Sequence, residues 1–490
     1  MLFRFLLSFV FTAILLTAQD PAIKAQRAKE LMGAGKFQEA ADIYQGLVTE
    51  IPGNPGLLMN LGMALHMAGE DRKAIPHLAA AVKLQPQMVP AQLFLGASYL
   101  RIAEPAKAIP HLQQVVTAQP AYTEARQLLA EALYSAKRLE EAAAQYRELV
   151  ESDSRNPQAW HALGRAYEAL SQAAFETLAQ TSPDSPYHLA ILGEARFHQQ
   201  QYSSSFFLYR QALERNDRVP GARRAIAEIY RNTGHPDWAA KEEALAPALA
   251  CPGPAIECDY LDGQFLKVAQ AAKLKKTPES HYWLTRAYNE LARQAFSQLR
   301  GLPDSPQLHE HLAEVNRGQR RHREAAEEWR KAIALAPANP RLEAELAQSL
   351  YEARDYEAAR EITARLLRTE PTSPEMNHLH GEILLSLQNF DQAIPYLMKA
   401  VHGAPKLLTA QGSLGRALAL SGDAAKSIPY LKAALPIDDD GSLHYQLARA
   451  YQSGGQAELA KQALAKYQEL SKQAQVALDS AQKEVQITAP

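Results

Sequence analysis

The sequence predicts an all-α fold, a solenoid of stacked helical hairpins, and three observations carry that expectation. Small and apolar residues recur every 34 positions; apolar residues inside each period step by three and four; a proline follows each second helical segment. A chain of 490 residues suits several ordinary domains or one repeat array, and the recurrence decides for the array. The composition fits a packed protein, since 47% of the residues are apolar and only 24 are glycine. Lys and Arg number 52 against 54 Asp and Glu, so no basic excess points to nucleic acid.

The amino terminus reads differently from the rest. Arg4 precedes a largely apolar run from Phe5 to Leu16, and Ala18 is small enough for a cleavage position, which together predict a secretory signal over residues 1–18. That run is shorter than the roughly 20 residues a bilayer crossing requires. The expectation is an exported protein, periplasmic or secreted, touching a membrane only if this segment stays uncleaved; large Leu16 and the single Arg4 leave that alternative open.

A first array is expected over residues 19–246. Leu61-Gly62, Leu95-Gly96, Leu129-Ala130 and Leu163-Gly164 are spaced by 34, as are Ala40, Ala74, Ala108 and Ala142, and Pro52, Pro86 and Pro120. The small residues fall where two antiparallel helices must approach closely, and each proline falls where a helix must stop. A second array is expected over 279–470, where Leu312-Ala313, Leu346-Ala347, His380-Gly381 and Leu414-Gly415 keep the same spacing, followed by Leu447-Ala448 one residue short. A polar helix from Ala457 to Lys483 is expected to cap the stack, leaving 471–490 as its end and a tail.

These residues resemble the tetratricopeptide repeat (TPR) family. The resemblance is fullest at Trp160, Leu163, Gly164 and Tyr167, and at Leu95, Gly96, Tyr99, Ala108, Leu112, Val115 and Pro120. It implies a right-handed superhelix of about twelve hairpins whose concave wall, lined by the first helix of each repeat, binds protein segments. Some chaperone-binding members clamp a terminal carboxylate with Lys, Asn and Arg at inner positions; Met59 and Met63 stand at such places here, so that clamp is not expected.

The pattern breaks twice in the same way. Between Tyr167 and Pro183, and between Tyr288 and Pro303, the turn joining the paired helices is missing; the helical runs ending at Leu178 and Leu299 hold neither glycine nor proline. Each is expected to run on as one helix of about 25 residues. Two readings stand: irregular repeats that alter curvature, or seams dividing the solenoid into three arms. Between the arrays, residues 247–278 hold a predicted helix from Leu261 to Ala272, the basic run Lys273 to Lys276, and the only cysteines, Cys251 and Cys258. In an exported protein that pair, joined by a Pro-Gly-Pro turn, is expected to form a structural disulfide.

No catalytic constellation is present in the sequence. His309 and His311, like His378 and His380, stand two apart and diverge on a helix, so neither pair shares a metal, and there is no phosphate-cradling loop or nucleophile elbow. No cofactor, metal or enzymatic activity is expected. Ile-Pro-His-Leu at 75–78 and 109–112 reads as a structural repeat with its histidine on an outer face.

The partner-binding candidates are therefore surface residues. Met32, Met59, Met63 and Met67 crowd one section, as an adaptable apolar floor or as ordinary packing. Farther on, inner positions pair rings with cations: His161 with Arg165, Tyr282 with Arg286, and Tyr445 with Arg449. The expected function is a protein-interaction scaffold or assembly factor binding partner segments along the concave face. The alternatives are a structural subunit of a secretion, pilus or envelope assembly, and a carrier of glycans or small molecules.

Overall fold

The computed structural model of the protein describes residues 21–245, 256–337, 339–482 and 487–490. The expected signal segment and Cys251 lie outside the described residues; Cys258, described, is buried. Every regular element among the described residues is helical, with 26 α-helices and one short 3-10 turn. The chain divides into two compact units rather than three arms, the first made of residues up to 176 with 264–271 and 283–298, the second of 177–263, 272–282 and 299–490.

The first unit opens with four hairpins: α1 (Pro21–Gly33) with α2 (Phe37–Glu50), α3 (Pro55–Met67) with α4 (Asp71–Leu84), α5 (Val89–Arg101) with α6 (Pro105–Ala118), and α7 (Thr123–Ser135) with α8 (Leu139–Ser152). The 34-residue period has a local cause at each end of the first helices. Prolines at the first turn start several of them, helped at α3 by Asn54, whose side chain accepts hydrogen bonds from the amides of Gly56 and Leu57. Left-handed residues at Gly35, Gly69, Ala103 and Lys137 end them and turn the chain into the second helix. The small residues do what the spacing predicts: a Cβ on Gly96 would lie 2.6 Å from Leu112 Cγ, closer than two carbons can approach. The buried core is correspondingly rich in Ala and Leu, with Ala40, Ala74, Leu78, Leu61 and Leu95 among those sealed from solvent.

The next left-handed position in the series would be 171, and there the helix does not turn. Instead α9 (Pro157–Thr181) continues for 25 residues and α16 (Pro278–Arg300) for 23. Within the first unit these two irregular helices pair with each other. Ser171 Oγ, buried where a turn would have been, donates to Thr285 O at 2.9 Å across 114 residues of sequence. Tyr167 stacks on Tyr288 with ring centroids 6.1 Å apart, and Gly164 faces Phe296. Each lost turn is thus answered by the other, and the first half of α9 takes its second helix from the far end of α16.

The second unit contains α10 (Pro186–His198) with α11 (Tyr202–Arg215), α12 (Ala222–Asn232) with α13 (Pro236–Ala244), and then α14 (Ile256–Leu261). The helix expected from Leu261 to Ala272 is broken: α14 ends in a turn at Gly263, whose backbone is left-handed, and α15 (Phe265–Lys273) starts after it. A glycine that reverses the chain here as Gly69 and Gly234 do elsewhere is the reason. The unit continues as α17 (Pro306–Gly318) with α18 (His322–Leu335), α19 (Pro340–Glu352) with α20 (Tyr356–Thr369), α21 (Pro374–Ser386) with α22 (Phe390–Gly403), α23 (Leu408–Leu420) with α24 (Ala424–Ala434), and α25 (Ser442–Ser453) with α26 (Ala457–Gln482). Ala460 and Ala463 of α26 pack on the last core cluster, with Leu447 and Tyr451 of α25, as a cap should. At the carboxyl end, Thr488 O accepts a 2.6 Å hydrogen bond from the buried Tyr230 of α12.

Among α19, α21, α23 and α25, consecutive first helices pack on one another directly, more closely than consecutive second helices do. The first helices therefore form the inner side of this stack, which places their outward residues on one shared wall.

Candidate binding wall of the second unit

The wall is built from the residue that follows the small residue of each first helix. Gln348 follows Ala347, Glu382 follows Gly381 and Arg416 follows Gly415, and this register brings the three to neighbouring positions. Glu382 is their hinge: its Oε1 accepts from Arg416 Nη2 at 2.6 Å and its Oε2 from the Tyr351 hydroxyl at 3.1 Å. Burial pushes the Glu382 carboxyl up, but Arg416 and the Ser413 hydroxyl outweigh it and hold the group below the usual carboxylate range. Burial and the charge of Glu382 together push the Tyr351 phenol up to about 12.

Around this cluster lies an open groove of about 530 Å³, lined on the polar side by Gln348, Glu375, His378 and Ser413 and on the apolar side by Leu379, Leu407, Ile437 and Leu443. Gly412 also lines it and lets the helices approach closely there, since a Cβ would meet Leu443 Cδ2 at 3.3 Å. Farther along the same stack, Arg317 pairs with Glu345 at 2.7 Å and Arg341 pairs with Glu310, so charge neutralisation runs from repeat to repeat along the first helices. A volume of this size with convergent polar groups and an apolar rim accommodates a peptide segment or a small ligand.

His378 is held below the ordinary imidazole range, first by burial and further by Arg416 against the opposing pull of Glu382, so it is neutral at pH 7. Its Nε2 lies 3.3 Å from Ser413 Oγ, a hydroxyl that is also within hydrogen-bonding distance of Thr409 O at 2.8 Å. A Ser, His and Asp also meet in the first unit, at Ser98, His66 and Asp71. Both partners lie against the same nitrogen, Nδ1, at 2.9 and 2.6 Å, while Arg101 covers Nε2, so no relay passes through the ring. Among the described residues no group of histidines, cysteines and acids is placed to hold a metal.

The candidates named from the sequence are scattered. Met59 is half-buried against Leu58, Ala81 and Ala91, and Met32 packs on the first core, so both serve packing; Met63 is half-buried and Met67 is exposed. His161 is buried against Phe296, with ring centroids 6.2 Å apart, and Arg165 is half-buried. Tyr282 is a correction: it is 3% exposed, donates its hydroxyl proton to Pro220 O at 2.6 Å and packs on Tyr187, which makes it part of the core and no partner contact. Arg286 lies over the Trp283 ring. Tyr445 packs on Tyr467 of the cap helix, and Arg449 is exposed. In the second Ile-Pro-His-Leu the expected outer face is a second correction, because His111 is half-buried, bonded to Gln92 and stacked on Tyr99. Its proline is the sixth residue of the helix and removes one hydrogen bond from the interior.

Arg165, Arg286 and Arg449 hold the repeat position that Gln348, Glu382 and Arg416 also hold. The 34-residue spacing of the latter three is the signal that would have found the wall.

Hairpins of this geometry, stacked at this period, define a repeat scaffold of the TPR class. Repeat patterns described as tetratricopeptide repeat match residues 31–93, 103–167, 317–383, 378–442 and 441–473, and the chain belongs to that family. No curated protein matches it. Among solved structures it is similar to MamA (41-end) from Desulfovibrio magneticus, at 24% identity over 30% of this chain and 84% of that one, with a TM-score of 0.29. It is likewise similar to a thermophilic TPR protein of Thermus thermophilus, at 22% identity over 36% of this chain and 98% of that one, with a TM-score of 0.30.

Proposed function

We propose that the chain is a non-catalytic scaffold that holds an extended segment of a partner protein against the first helices α19, α21 and α23, and that it works after export, in a periplasmic or secreted setting. The observation that carries this reading is the 530 Å³ groove on that wall, where polar groups that hold one another leave acceptors and donors facing an apolar rim. Preformed polar groups lose little freedom when a segment docks, so the rim leucines and the Arg416–Glu382–Tyr351 cluster would act as anchors and the rest of the wall as complementarity. Membership of the tetratricopeptide repeat family supports a protein partner, and the basic-then-apolar start of the chain supports export.

The test is selection of peptides from a displayed library on the whole chain, followed by fluorescence polarisation. Selected peptides are expected to lose at least about tenfold in affinity with Arg416→Ala or Leu379→Glu, and nothing with Met63→Glu. Peptides indifferent to both wall substitutions, or no selection at all, would overturn the reading.

A further inference from the structure

A second cleft, of about 430 Å³, lies on another face of the same stack, between the second helix α18 and the turn that follows α19. Arg323, Glu327 and Arg330 line it from α18, where steps of four and three put them on one face. Arg354 and Asp355 line it from the turn, and buried Ala326 and Leu350 form its floor. Arg354 stands at the left-handed turn position, with φ 64°, where Gly69 and Gly422 stand in other repeats.

Several cations of the surrounding stack are matched with carboxylates. Arg317 pairs with Glu345, Arg341 with Glu310, Lys331 with Glu328, Arg360 with Glu357 and Arg365 with Glu343. Arg323, Arg330 and Arg354 have no carboxylate within ion-pairing distance among the described residues, as Arg320 and Arg368 have none, but these three open on the one cleft. Of the two acids beside them, Asp355 already accepts a hydrogen bond from the Ala358 amide at 3.4 Å. Three guanidinium forks against two carboxylates leave a positive cleft with more donors than its own acids can satisfy.

We propose that this cleft binds a phosphate or sulfate ester group carried on a small ligand. A carboxylate offers two oxygens, which a single fork satisfies; a tetrahedral oxyanion offers three, which suits several forks converging from different directions. The volume falls in the range of small-ligand sites. The apolar floor of Ala326 and Leu350 takes the carbon skeleton, and the site is independent of the peptide wall.

Isothermal titration of the whole chain at low salt tests it, with glucose 6-phosphate and glucose 6-sulfate as probes and glucose and malonate as controls. One of the two esters is expected to bind saturably at one site, at least about tenfold tighter than malonate, and the preferred ester names the source. Arg323→Gln and Arg330→Gln are each expected to weaken that binding about tenfold or more, Arg354→Gln likewise, and the exposed Arg368→Gln not at all. Unchanged helicity by circular dichroism would establish that the variants are folded. No saturable binding of either ester, malonate binding as tightly, or a folded Arg323→Gln/Arg330→Gln protein that binds as before would each overturn the proposal.

Discussion

Phe296 fills the space opposite Gly164 as Leu112 fills the space opposite Gly96, although Phe296 belongs to a helix far along the chain. A Cβ at position 164 would lie 2.5 Å from Phe296 Cε1. The rigid ring cannot retreat as a leucine branch can, because His161 packs against it as well. Gly164→Ala is expected to destabilise the protein by about 1–3 kcal/mol through overpacking, and Phe296→Leu to recover part of that loss in the alanine background. Thermal unfolding of the two variants and their combination checks it; an alanine variant as stable as the parent would contradict the pairing of the two long helices.

Among the described residues six turns carry a side chain where the backbone is left-handed, Lys137 and Gln388 included, while Gly69 and Gly422 serve the same turn elsewhere. An L residue is strained there, and glycine is not. Lys137→Gly and Gln388→Gly should each raise stability by about 0.5–1 kcal/mol, and Gly422→Ala should lower it by a similar amount. Chemical denaturation midpoints measure the differences, and a loss on introducing glycine would argue against this backbone geometry.

His380 and His311 are held near a pKa of about 4, first by burial and secondly by Arg360 and Arg300 respectively. Both stay neutral in the fold, whereas in the unfolded chain they titrate near the ordinary value of about 6.5. The unfolded state therefore binds more protons between those values, so stability rises with pH across that window and falls as the medium is acidified from about 6.5 to 4. Over the whole window each histidine accounts for up to about 3 kcal/mol of the change. His380 Nδ1 lies 2.7 Å from Thr363 Oγ1, so His380→Gln keeps a polar partner there. Melting curves of this variant from pH 4 to 8 should show a shallower slope than the parent, and an identical slope would refute the assignment.

The tail residue Thr488 is fixed to Tyr230, a ring that also packs on Phe206 and Trp238. Tyr230→Phe keeps those ring contacts and deletes one hydrogen bond, worth about 1 kcal/mol. Faster carboxypeptidase trimming of the tail is expected, with the melting temperature shifted by no more than a few degrees. Trimming at the parental rate would show that this bond does not hold the tail.

The candidate wall was half legible in the sequence. Arg165 and Arg449 stand at the repeat position that Gln348, Glu382 and Arg416 share, and only the assembly of the latter three against Tyr351, His378 and Ser413 makes a groove. Tyr282 illustrates the opposite failure. Its place beside Arg286 resembles an exposed hot spot, yet the carbonyl of Pro220 takes its hydroxyl and draws the ring into the core.

Period, small residues and prolines by themselves determined the helical hairpins, because those constraints act within some 34 residues through backbone geometry and close packing. What α9 and α16 do with their missing turns was decided only in three dimensions. A helix that cannot fold back must find its partner elsewhere, and nothing local to Ser171 specifies that the partner is the segment around Thr285. The charge pattern followed the same rule: which arginines are neutralised, and which are left facing a cleft, depends on carboxylates that neighbouring repeats bring within reach.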